Sequence, residues 1–336
     1  MYRQTRTVIA AALAVALGTG VATGASTSAG AAEVKVALNG VMDPKVNAEA
    51  AFVQGFQDAL AGSDFTVSVF PSETIGKEKE RFDMVSQGLI QVNLASVGTT
   101  FGLSPLVKGV QLPFFFKDAD EFDSVIAKSD LLAQMNEPLI ANGTRIAGFN
   151  YIGVAMGFHN TKHPVTTVED LSDLRFRAMN GEQLKFEESL GANGTIVSWS
   201  EVANALQTGI ADGYLNPPNS ALRTGHTDFL KHFTQANISP STRLVLVSQD
   251  WFDGLPAADQ ATIDKAITAG IAANRAWVAD WQGIVLERQK EAGVTVSELA
   301  PGERDKMVER ATAIYLDVLN EEDLAKYQTA LDSVRQ

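Results

Sequence analysis

The chain has 336 residues, a net charge of −13 and no cysteine. An acidic balance argues against nucleic acid and anionic membrane faces as partners, because the bulk field repels polyanions. Without cysteine there is no disulfide and no lipid anchor attached through a cysteine.

Residues Met1–Ala32 carry Arg3 and Arg6, an apolar run from Val8 through Leu17, and small residues ending in Gly30, Ala31 and Ala32. This is the layout of an export signal cleaved near Ala32, with an apolar stretch too short and too glycine-broken for a span of about 20 residues. Its removal takes two positive charges and leaves −15, so an anionic solute would need a local cation to hold it.

The remaining length favours two lobes. Strands and helices alternate through the first half as in α/β proteins: a strand Val34–Leu38, a helix Val46–Leu60, a strand Phe65–Phe70, a helix Glu78–Gln87 and a strand Ile90–Ala95. Asn39 and Ser96 follow the first and third of these strands, at the carboxyl ends where α/β sheets bind ligands. For each, a turn residue satisfying its own backbone is an equal alternative on sequence grounds.

Leu112–Phe116 reads as core. Two helices, near Asp118–Lys128 and Asp130–Asn142, precede strands Arg145–Phe149 and Ile152–Phe158, the latter expected to cross between lobes. His159 and His163 are four apart, but Asn160, Thr161 and Pro164 make the segment a loop and no third ligand is near, so no metal site is expected.

The stretch Asp170–Pro218 holds the main candidates. A strand alternates Leu174, Phe176 and Ala178 with Arg175 and Arg177, with Arg177 expected to face a ligand and Arg175 to lie on the opposite strand face. Glu187 and Glu188 read as a solvated helix face. Trp199 opens a short helix, SEVANALQ, stopped by Gly209. Tyr214–Pro218 is read as unable to continue a helix or a central strand, which leaves Asn216 at the tip of an element. A crossing strand Arg243–Val247 and a helical pattern Ala257–Glu291, continuous or broken near Gly270 or Gly283, follow. The rest, Pro301–Leu319 and Glu322–Val334, reads as amphipathic helices.

The motifs RFRAMN, WSEVANALQTG and DGYLNP, with PSETIG and QLPFFFKD upstream, resemble the solute-binding proteins of tripartite ATP-independent periplasmic (TRAP) transporters, the DctP-type family. The resemblance implies a two-lobed periplasmic-binding-protein-like α/β fold with a long helix crossing both lobes. Lobe I would be 33–154 plus 243–282, and lobe II 155–242 plus 283–336. It implies a monomeric periplasmic receptor that captures a small organic acid and delivers it to a small and a large membrane subunit, with no cofactor and transport driven by an ion gradient. Arg177 would take a carboxylate in paired hydrogen bonds, with Asn216, Trp199, Asn39 and Ser96 around it. Ala155–Phe158 lacks a charged contact found here in several family members, which implies a smaller or less charged ligand than a sugar acid. Tyr214 and Leu215 replace the more usual Gln-Glu, and entry of either into the pocket is left open. No nucleophile elbow, P-loop, dinucleotide fingerprint or C-x-x-C is present, so no enzyme is expected; the alternative is an exported α/β hydrolase acting on a small acidic or sugar substrate.

Overall fold

The computed structural model describes residues 32–335. The export-signal stretch Met1–Ala31 lies outside the described residues. In chain order, strand β1 (Ala32–Ala37), helix α1 (Ala48–Leu60), β2 (Phe65–Phe70), α2 (Glu78–Ser86) and β3 (Val92–Ala95) alternate as expected. Helices α3 (Ala119–Lys128) and α4 (Leu131–Ile140) lead to β4 (Thr144–Tyr151). Then come β5 (Gly157–Asn160), β6 (Arg175–Ala178), α5 (Gly181–Ser189), β7 (Asn193–Ile196), α6 (Val202–Gln207), β8 (Gly213–Asn216), α7 (Pro218–Thr224) and β9 (His232–Gln235). The chain returns through β10 (Thr242–Ser248), α8 (Gln249–Asp253) and α9 (Ala257–Gln282). It closes with α10 (Val285–Glu291), β11 (Thr295–Glu298), α11 (Glu303–Ala313), α12 (Tyr315–Val318) and α13 (Glu321–Arg335).

These strands build two sheets, β2-β1-β3-β10-β4 and β11-β9-β5-β8-β6-β7. In the first, β1 runs parallel to β2 and β3, while β10 inserts antiparallel between β3 and β4. That insertion buries Leu244–Val247 on both faces, which is why this strand reads as an unbroken apolar run. The first crossing falls inside the expected segment Ile152–Phe158, as a link ahead of a shorter strand, and the second lies just before the expected strand Arg243–Val247. Residues 152–156 link β4 to β5 and pair with 238–241, which link β9 to β10: Met156 N–H donates to Ser239 O and Ile238 N–H to Met156 O.

Helix α1 buries Phe52, Val53, Phe56 and Leu60 along one stripe and crosses α9 at glycines. A Cβ at Gly55 would sit 2.6 Å from that of Ala273, and one at Gly270 would lie 2.8 Å from the Phe52 ring. The long helical pattern is two helices, interrupted at Gly283, where glycine weakens the helix and exposes its backbone. Helix α9 packs on α1 and β4, and α10 packs on α7 and β11, so the pair runs from one sheet to the other. Helix α13 packs against α3, with Tyr327 Oη donating to Leu106 O.

Two short strands, β9 and β11, have no counterpart in the sequence reading. Strand β8 corrects it. Tyr214–Asn216 lies in the middle of the second sheet, paired with both β5 and β6, because the ladder ends one residue before Pro217. His159 is likewise in a strand, wedged between Tyr214 and Phe233 with ring centroids at 5.0 and 4.6 Å.

Candidate functional site

Between the two sheets lies a cavity of about 310 Å³, within the range of small-molecule sites. All five residues singled out from the sequence line it: Asn39, Ser96, Arg177, Trp199 and Asn216. Asn39, Ser96, Trp199 and Asn216 stand at or just past the end of a strand or at the start of a helix, Arg177 is the last residue but one of β6, and the topology turns these ends toward one cleft.

Arg177 is 4% exposed on β6, registered between Thr195 of β7 and Tyr214 of β8. Its Nε donates to Val197 O at 2.8 Å, its guanidinium lies 5.5 Å from the Trp199 ring centroid, and its buried Nη1 has no hydrogen-bond partner. Burial lowers its pKa to about 10, so it stays charged at neutral pH. The strand-face assignment of its neighbour is corrected. A period of two places Arg175 and Arg177 on the same face, and they differ in depth: Arg175, at the strand's open end, pairs with Asp212 at 3.0 Å. Arg177 meets neither of the acids close to it in sequence, since Asp173 pairs with His163 and Glu201 accepts from Ser198.

Asn216 is 2% exposed at the last position of β8, and its Nδ2 has no partner. Trp199 is half-buried and stands over Tyr214 and His226 at 5.7 Å each. Tyr214 does not line the cavity; it is sealed behind Trp199, its hydroxyl 3.3 Å from His226 Nδ1. Leu215 points the other way, into the hydrophobic core.

The opposite wall holds residues that sequence reasoning missed. Arg243, at the start of β10, faces Glu49 Oε1 at 2.9 Å without hydrogen-bond alignment and donates to Glu78 Oε1 and, at 3.1 Å, to Leu94 O. Asn39 donates to Glu78 and accepts from the fully buried Arg81. Its side chain is therefore held by long-range partners rather than by its own turn. Burial works against the Arg243 charge, but Glu78 and Glu49 outweigh it and hold its pKa above the ordinary arginine value. Burial opposes the Glu78 charge too, and Arg243 and Arg81 outweigh it.

Arg223 of α7 also lines the cavity, and its guanidinium reaches so close to Gly40, in the loop after β1, that a Cβ there would overlap it. Nothing marked it in sequence, since α7 is too short for a periodic pattern. Glu187 overturns its reading as solvated: it is fully buried, accepts from Gln183 Nε2 at 2.9 Å, and burial raises its pKa to about 8. Only Glu188 of that acidic pair is exposed, because adjacent helix positions diverge by about 100°. Among the described residues no group of three His, Asp or Glu side chains is placed to hold a metal.

A sequence model of the family "Bacterial extracellular solute-binding protein, family 7" (DctP) matches residues 39–322. The chain belongs to this family. This solute-binding protein is 30% identical over 223 residues to the ectoine/5-hydroxyectoine-binding periplasmic protein UehA of Ruegeria pomeroyi, an alignment spanning 65% of each chain and so just under two thirds of that relative. It is 29% identical over 257 residues to the C4-dicarboxylate-binding periplasmic protein DctP of Rhodobacter capsulatus, 74% of this chain and 75% of the other. The fold is that of TRAP periplasmic solute-binding proteins. One from Sulfitobacter sp. NAS-14.1 with bound β-D-galacturonate superposes with a TM-score of 0.81 at 22% identity, covering 89% of this chain and 99% of that one. One from Shewanella oneidensis with bound succinate superposes with a TM-score of 0.80 at 19% identity, covering 89% and 99%. The family consists of extracytoplasmic binding proteins of TRAP transporters, so the hydrolase alternative falls and the protein is not an enzyme.

Proposed function

We propose that the protein is a periplasmic receptor that captures a small carboxylate between its lobes, with Arg177 as the anchor, and passes it to the small and large membrane subunits of a TRAP transporter. One observation carries this reading. Arg177 is removed from water, its Nη1 is unpartnered at the cavity wall, and no carboxylate of the described chain lies within ion-pairing distance. A buried charge left in that state is costly, and an incoming carboxylate relieves it by charge-assisted hydrogen bonds of about 1.5–3 kcal/mol each. Asn216 donates beside it, Trp199 walls the aromatic side, and Asn39 and Ser96 complete the facing surface.

Closure brings the lobes together about the crossings at 152–156, 236–241 and Gly283. The lobes are taken as 33–154 with 243–282, and 155–242 with 283–319. Helix α13 is assigned to the first lobe because it packs on α3. Residues 1–32 are read as the cleaved signal, which intact-mass measurement of the exported protein tests directly. A thermal-shift screen against organic acids, sugar acids, amino acids and ectoine-type zwitterions tests the ligand class, since a tight ligand raises the midpoint by mass action. An acid hit that Arg177→Gln loses supports the reading; a neutral hit that Arg177→Gln keeps overturns it.

A further inference from the structure

Three guanidiniums, Arg177, Arg223 and Arg243, line the cleft, with the fully buried Arg81 behind Asn39, and two buried or half-buried carboxylates, Glu49 and Glu78, are set against them. The two acids belong to the first wall, where both contact Arg243 and Glu78 also neighbours Arg81 at 3.9 Å. Two positive charges remain without a carboxylate partner, those of Arg177 and Arg223. The nearby buried Glu187 does not cancel them, because its raised pKa keeps it largely protonated at pH 7. Of the other charged lining residues, Lys77 and Lys79 are exposed and screened, and the half-buried Glu73 forms no ion pair with Arg177 or Arg223.

Arg223 is built to reach the cavity. Its helix starts two residues after Asn216 and is tied at its start by Asn219 Nδ2 donating to Ile152 O at 2.7 Å and by Gln289 Nε2 donating to Pro218 O. The glycine at position 40 leaves room for the guanidinium to cross to the other wall. Its Nε is sealed from solvent with no partner.

The geometry points to Arg223 as a second anion anchor, so that the solute is a compact dianion, a dicarboxylate with one acid group at Arg177 and Asn216 and the other at Arg223. This rests on the carboxylate reading of the site and narrows it. A monoanion would leave one guanidinium uncompensated in the closed cleft, and a zwitterion would add a third cation to it. Of the sequence reading of a smaller or less charged ligand than a sugar acid, drawn from the missing cation at Ala155–Phe158, this proposal keeps the first alternative: the solute is compact, and the second cation comes from α7.

The test uses linear dicarboxylates of four to six carbons and their mono-amides, which keep the shape and lose one charge, titrated calorimetrically into the wild type, Arg223→Gln and Arg177→Gln. The wild type is expected to bind at least one diacid about 10- to 100-fold more tightly than its mono-amide. Arg223→Gln should reduce that preference to about threefold or less while keeping mono-amide affinity. A wild type that binds a mono-acid and no diacid, or an Arg223→Gln variant with the preference intact, overturns the second anchor and leaves the Arg177 reading standing. Loss of nothing in Arg177→Gln overturns that reading instead. Thermal unfolding of the unliganded variant gives a ligand-independent check: removing an unpaired charge should leave the Arg223→Gln midpoint equal or higher. A fall of more than about 5 °C would make Arg223 a structural residue.

Discussion

On the wall built by the first sheet, Arg243 is flanked by Glu49 and Glu78, and Arg81 shares Glu78 and Asn39. On the facing wall, Arg177 is as deeply buried and meets no carboxylate at all. The same side chain thus does two jobs. A guanidinium with its counter-charges built in fixes the strand–helix junctions around the cleft, whereas one without them is left for a ligand. Burial alone does not separate the cases, since both arginines are less than 10% exposed; the nearest acid does. The pKa directions agree, raised for Arg243 and lowered for Arg177.

The most severe way to break this comparison is Arg243→Ala. It strands Glu49, 1% exposed, beside a weakened Glu78, and loss of one partner of a buried pair costs about 3–5 kcal/mol. Chemical denaturation should show that loss without any ligand present. Arg177→Ala should do the reverse, leaving unliganded stability within about 1 kcal/mol because no carboxylate is orphaned and the Val197 carbonyl it leaves is not fully buried, while removing about 3 kcal/mol or more of binding, a loss of roughly 100-fold. Equal stability losses in the two variants would erase the distinction between the walls.

Glu187 sharpens it from behind β6. Burial lifts its pKa from 4.5 to about 8, so the folded state holds a proton that the unfolded state releases above pH 4.5. Its contribution is therefore neutral below about pH 4.5, and stability falls as pH rises from there to about 8. The expected decline is several kcal/mol, up to about 5, and Glu187→Gln should flatten it in denaturation curves taken across that window. A slope unchanged by the substitution would assign the decline to other groups.

Much of this site was legible because the chemistry sits where elements end. Asn39 after β1, Ser96 after β3, Trp199 before α6 and Asn216 before Pro217 are marked by turn and breaker residues close in sequence, and the family motifs run through the same positions. The first wall was not legible in this way. Glu49 lies in the first turn of α1, Glu78 at the start of α2 and Arg243 in an otherwise apolar strand, and only the insertion of β10 between β3 and β4 brings them together. Local pattern carries no trace of an ion pair spanning 165 residues. Strands β9 and β11 escaped for a related reason. Each is four residues long and pairs with the other, so the signal that makes them strands is the partner rather than the sequence. Tyr214 and Leu215 show the limit on the other side, where alternation along β8 sends Leu215 into the core and puts Tyr214 on the face of Asn216, behind Trp199 rather than in the cavity.

The smallest effect is the most discriminating. Arg175 shares a strand and a face with Arg177, and its guanidinium makes a two-point contact with Asp212, Nε to Oδ2 and Nη2 to Oδ1, both at 3.0 Å. That bond lies at the open end of the strand, where water competes for the half-exposed Arg175 guanidinium, and Lys162 stands 3.2 Å from the buried Asp212 carboxylate. Asp212 therefore keeps a cation, and its backbone-held position against the Arg175 N–H persists without the side chain. Arg175→Ala should shift the unfolding midpoint by no more than about 2 °C and leave solute affinity within about twofold. A large loss of binding in this variant would mean that charge anywhere along the strand attracts the solute, and that the depth separating two arginines on one face carries no specificity.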